Sequence, residues 1–193
     1  MQVYKPKDTL FWLCEHGRTL NSPDFTTFFN GLGAGNSIRH FHYQTLKEPF
    51  PIFDAQPIWV KQGIVRLRWP LPAYAIMVKK QHDEDNVLAL FDSFILKWRN
   101  ADKKNTLNLL HRMDANGRTH IIFVPRVDSR EKRKAPKISN DFGGCEVGGR
   151  INIESLNEWL CEKKKSVDEI EQMLATIAPE HDEIDELESV LND

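Results

Sequence analysis

Residues 36–44 read Asn-Ser-Ile-Arg-His-Phe-His-Tyr-Gln, and on an extended strand alternate side chains share a face. His40, His42 and Gln44 therefore point one way, Phe41 and Tyr43 the other. Just upstream, Phe28-Phe29-Asn30 is followed by Gly31-Leu32-Gly33-Ala34-Gly35, an apolar strand and then a glycine-rich turn whose backbone N–H groups could approach an anion closely. An imidazole beside such a turn suits chemistry at phosphorus, because its ordinary pKa of about 6.5 leaves a neutral, nucleophilic nitrogen at neutral pH. Taken alone, a His-x-His pair on a strand is more often a pair of metal ligands or a cross-strand polar patch than a nucleophile, and a glycine turn can simply serve a hairpin.

The elements that must position these groups follow from periodicity. Asp8–Leu20 reads as a helix, with Asp8 or Thr9 as cap and Leu10, Leu13 and Cys14 on one face. Phe25–Asn30 and Arg39–Leu46 read as strands joined by the glycine turn. Lys47–Gln56, rich in Pro and aromatics, reads as a loop ahead of short strands at Ile58–Val60, Ile64–Trp69 and Tyr74–Lys79. Asp85–Trp98 has helical periodicity, and Leu107–Arg112 and Thr119–Pro125 read as strands around the turn Asp114–Gly117. Residues 130–137 form a basic loop, which reads first as a solvated linker. Ser155–Lys163 reads as a helix. From Ser166 the chain is acidic and helical, with Ile170, Met173, Leu174 and Ile177, a break at Pro179, then Ile184, Leu187, Val190 and Leu191. That apolar stripe needs cover, from the domain or from a second copy of the chain. The expected organisation is an α+β domain over 1–165 and an acidic helical segment over 166–193.

The string Phe29-Asn30-Gly31, Gly33-Ala34-Gly35, Ser37, His40-x-His42-x-Gln44 resembles the signature of the histidine-triad superfamily in its transferase branch, which has Gln at the third position. That branch includes galactose-1-phosphate uridylyltransferase, diadenosine tetraphosphate phosphorylase and GDP-L-galactose phosphorylase. Leu107-Asn108-Leu109-Leu110 and Gly117 through Pro125-Arg126 are similar to later elements of the phosphorylases, and Gly143–Ile153 to their later glycine-containing strand. The resemblance implies a histidine-triad-like antiparallel sheet with helices, formed by a degenerate duplicated unit.

It also implies a mechanism. His42 would attack the α-phosphorus of a nucleotide sugar or dinucleoside polyphosphate, and phosphate or a sugar phosphate would collect the nucleotide from the covalent nucleotidyl-histidine. The second nitrogen of His42 would be held by a backbone carbonyl. Gln44 would donate to a phosphoryl oxygen, Ser37 and the 33–37 backbone would cradle the phosphates, and His40 would support the geometry. Asn30, Gly31, Gly33, Gly35, Asn108 and Arg126 would line the substrate site. No cofactor or metal is implied. Only residues 1–24 precede the strand leading to the motif, fewer than in the family, so the base-recognition wall would be absent or supplied by another subunit; a homodimer is expected.

Composition bounds the alternatives. Lys+Arg at 26 against Asp+Glu at 28 gives a net charge of -2, so no global basic field argues for nucleic acid. Cys14, Cys145 and Cys161 lack Cys-x-x-Cys spacing, and neither an apolar leader nor a membrane-length apolar run is present; a cytoplasmic protein is expected. Two other readings remain: a non-catalytic nucleotide-binding module of the same fold, and a metal-binding β protein using His40 and His42.

Overall fold

The computed structural model describes residues 4–5, 8–35, 40–78, 84–128, 142–150 and 165–192. In chain order the elements are α1 (Asp8–Leu20), β1 (Thr26–Asn30), β2 (Gln44–Leu46), a 3-10 turn (Pro51–Asp54), β3 (Pro57–Lys61), β4 (Ile64–Leu67), β5 (Tyr74–Val78) and α2 (Glu84–Ala101). β6 (Asn105–Met113), β7 (Thr119–Val127), α3 (Gly144–Val147), α4 (Val167–Ala175) and α5 (His181–Ser189) follow. The seven strands form one sheet in the order β2-β1-β6-β7-β5-β4-β3, with every neighbouring pair antiparallel. Among the described residues no helix is long and apolar enough to cross a membrane.

The β6–β7 hairpin is the centre of the sheet, nine residues on each strand. Its turn is closed by Asp114, whose carboxylate accepts the backbone N–H groups of Asn116 at 2.8 Å and Arg118 at 2.9 Å, while Gly117 takes the positive φ of 72° that closure requires. Both strands run longer than their apolar cores suggest because each has a partner on either side: β1 on β6, and β5 on β7 as far as Phe123.

Alternation divides the side chains between two apolar layers. Phe29, Leu107, Leu109, Ile121 and Phe123 lie on one face under Leu10 and Leu13 of α1, Phe91, Phe94 and Trp98 of α2, and Ile184 and Leu187 of α5. Phe28, Leu110, Ile122 and Val124 lie on the other, under Phe50, Ile52, Val147, Leu174 and Ile177. The acidic C-terminal segment is therefore covered by its own domain, α4 on one face and α5 on the other. α5 is fixed further by Glu188, which accepts from Tyr74 Oη at 2.7 Å and pairs with Arg66 at 3.2 Å.

Two expected strands differ. The motif strand, expected over Arg39–Leu46, is reduced to Gln44–Leu46; His40 lies in a bend and residues 41–43 carry no ladder. β2 is the sheet edge and pairs only with Thr26–Phe28, so once the chain diverges towards the glycine turn no second neighbour can hold it. The strand expected over Gly143–Ile153 begins instead as the helical turn α3. Its first N–H groups find side-chain acceptors, Gly143 N on Glu146 at 2.8 Å and Gly144 N on Asn30 Oδ1 at 2.8 Å, which satisfies a helix start. The remainder of that stretch, the 130–137 loop and the Ser155–Lys163 helix lie outside the described residues.

One buried group makes the fold sensitive to acid. His111 on β6 is 1% exposed beneath Gly17 of α1, and its Nε2 has no hydrogen-bond partner. Burial, followed by the fields of His16, His120 and Arg18, pushes its pKa down to about 3. The ring is neutral when folded but protonates near pH 6.5 when unfolded, so the unfolded state binds more protons between those values. The contribution is complete above about pH 6.5 and is lost as pH falls towards 3, on the order of 5 kcal/mol in all. Urea titrations from pH 7 to 4 are expected to show falling stability, with a flatter profile for His111→Leu; parallel profiles would refute the assignment.

Candidate functional site

The site is built where the sheet edge meets the glycine turn. β2 lies on β1 with Gln44 opposite Phe28, which places Gln44 on the face that also carries Asn30. Phe41 and Tyr43 turn to the other face: both rings pack on Phe29, at 5.4 and 6.2 Å between centroids, and Tyr43 Oη donates to Thr9 O at 2.8 Å. The alternation read from the sequence thus survives where the ladder does not. His40 and His42 are thrown outward, with their rings 5.5 Å apart.

His42 has one ring nitrogen held by the backbone. Its Nδ1 lies 3.1 Å from the backbone oxygen of His40. A carbonyl only accepts, so this contact puts the proton on Nδ1 and the lone pair on Nε2, and it would stabilise the positive charge that forms on attack. His42 is half-buried and His40 exposed.

Three other expected site residues come together, but inside the protein. Asn30, Asn108 and Arg126 are 5%, 0% and 0% exposed. Arg126 Nη1 donates to Asn108 Oδ1 at 2.7 Å and also to the Phe142 carbonyl. Asn108 Nδ2 donates to Asn30 Oδ1 at 2.8 Å and to Ala34 O at 3.1 Å; Asn30 Nδ2 reaches Gln44 Oε1 at 3.2 Å and Gly35 O at 3.4 Å. An Arg after Pro reads as a solvated residue, yet Arg126 is wholly enclosed because the chain at Phe142 closes over it. The three residues hold the turn and its neighbours in place.

The glycine turn has a structural task of its own. Gly33 and Gly35 both adopt φ of 80°, and each is pressed on a neighbour: a Cβ at Gly33 would lie 2.3 Å from the Asp128 carboxyl carbon, and one at Gly35 2.5 Å from Gly143 Cα. Gly31 N–H donates to Leu107 O and Ala34 N–H to Gly31 O, both at 2.9 Å, so these two donors are engaged within the protein. Ser37, the other expected member of the phosphate cradle, lies outside the described residues.

Sequence reading missed the groups that brace this corner from the later chain: Phe142 O, Gly144 N and Glu146. Only half of a capping-box signal was present, because Glu146 can reach back to the Gly143 N–H while Gly143 has no side chain to reciprocate. Two surface grooves, about 150 Å³ beside Trp98 and Leu187 and about 330 Å³ beside Trp59 and Ile184, contain none of the motif residues. Among the described residues no three His, Cys, Asp or Glu side chains converge closely enough to hold a metal ion. No family model, curated protein or solved structure matches the chain.

Proposed function

We propose that the protein is a nucleotidyltransferase or nucleotide phosphorylase of histidine-triad type, acting on a nucleotide sugar or dinucleoside polyphosphate. Nε2 of His42 attacks the α-phosphorus and forms a P–N bond; the bridging P–O bond breaks and its electron pair leaves with the sugar phosphate or nucleotide. An oxygen of phosphate or a sugar phosphate then attacks the same phosphorus, the P–N bond breaks, and His42 returns neutral. Gln44 steadies the non-bridging oxygens, where charge builds in both steps. The observation that carries this reading is the Nδ1 contact of His42 with the His40 carbonyl at 3.1 Å, which places the lone pair of the ring on Nε2.

A second reading, a nucleotide-binding module without turnover, is favoured by the burial of Asn30, Asn108 and Arg126, which leaves them little to offer a substrate. Incubation with a panel of nucleotide sugars and dinucleoside polyphosphates, followed by intact-protein mass spectrometry, separates the two. The transferase reading predicts an acid-labile gain of one nucleoside monophosphate on His42. Binding without adduct or turnover for every member would leave the binding module.

A further inference from the structure

We infer that Asn30 is a positioning residue which fixes the direction of the Gln44 amide, and that the buried Arg126–Asn108 pair holds Asn30 in that role. An amide can turn either its oxygen or its NH2 towards a neighbour, and only the partners decide between them. Arg126 has donors alone, so its Nη1 at 2.7 Å requires the oxygen of Asn108. Asn108 must then donate through Nδ2, to Ala34 O and Asn30 Oδ1. Two backbone groups enforce the same sense at Asn30: Gly144 N–H, a donor, meets Oδ1 at 2.8 Å, and Gly35 O, an acceptor, faces Nδ2 at 3.4 Å.

The polarity therefore runs in one direction, from a buried guanidinium to the surface. At its end Asn30 Nδ2 occupies Gln44 Oε1 at 3.2 Å, and the exposed Gln44 is left to present Nε2 and its two protons outward. Donors, not acceptors, are what a phosphoryl oxygen needs. The role given to that anion rests on the proposed function; the direction of the amide does not.

The test is an NMR measurement of side-chain amide exchange. In the unaltered protein the Asn30 NH2 protons are expected to be protected and those of Gln44 to exchange rapidly; the reverse would overturn the inference. Asn30→Asp keeps the size of the residue and still accepts from Asn108 and Gly144, but offers Gln44 only an acceptor. Gln44 must then turn its NH2 inward, so its protons are expected to exchange several-fold more slowly, and unchanged exchange would also overturn the inference.

Inorganic phosphate is the probe for the outward donor. It is expected to shift the Gln44 NH2 and His42 ring signals of the unaltered protein, with affinity weakened about tenfold or more in both N30D and Gln44→Glu. Gln44→Glu guards against misfolding, because the residue is exposed and its carboxylate still accepts from Asn30. If Gln44 turns in N30D while phosphate shifts nothing in the unaltered protein, the amide direction stands and the phosphate reading fails.

Discussion

His42→Ala is expected to abolish the nucleotidyl adduct and reduce turnover by about 10⁴-fold or more, because no other described imidazole has a ring nitrogen held by a backbone carbonyl. Nucleotide affinity should change little, since the phosphate donors are left in place. Gln44→Ala should instead retain the adduct but slow its formation about 10²–10³-fold, the loss that follows removal of one transition-state donor. Gln44→His tests whether a third histidine diverts the adduct to hydrolysis, as the hydrolase branch of the resembled superfamily suggests. Single-turnover mass spectrometry of the three variants gives the comparison; an adduct persisting in His42→Ala would place the nucleophile elsewhere.

A large effect on stability is expected at a position that sequence reasoning would choose for improvement. Gly17 lies within α1, where alanine normally stabilises a helix by about 1 kcal/mol. Here a Cβ would fall 1.7 Å from His111 Cε1 and 2.4 Å from its Nε2, inside a region where both residues are buried. The ring cannot retreat without displacing α1 or β6. Gly17→Ala is therefore expected to destabilise by about 3 kcal/mol or more, lowering the melting temperature by roughly 6–12 °C for a chain of this size. The same change made on His111→Ala should be neutral or stabilising, because the obstruction is gone and the helical preference remains. Equal penalties in the two backgrounds would show that the ring is not the obstacle.

The two long helices and the central strands were legible because their apolar spacing is imposed by burial on a defined face. Strand order was not legible. β1 pairs with β6 across a separation that no local pattern encodes, and β7 lies between two strands that precede it in sequence. The histidine motif was readable as alternation, and its side chains divide as alternation requires. The length of its strand was not, because a ladder needs a neighbour as well as a pattern. Arg126 illustrates the other limit: its enclosure depends on Asn108 and on the Phe142 carbonyl, which the fold brings to it from 16 residues away.

The placement of α4 and α5 on opposite faces bears on how the protein is made. Residues up to Val127 supply the whole sheet, but Leu174 and Ile177 close one apolar layer and Ile184, Leu187 and Leu191 the other. A chain emerging from the ribosome carries a complete sheet whose two apolar layers, roofed in part by α1 and α2 on one side and by Phe50, Ile52 and Val147 on the other, each lack part of their cover until this stretch follows. Once in place, the segment ties the two layers together: Val127 N–H meets Ile177 O at 3.3 Å beside one, and Glu188 holds Tyr74 beside the other. Opening either layer pulls on the other, so the sheet is expected to exchange its amide protons as one cooperative unit.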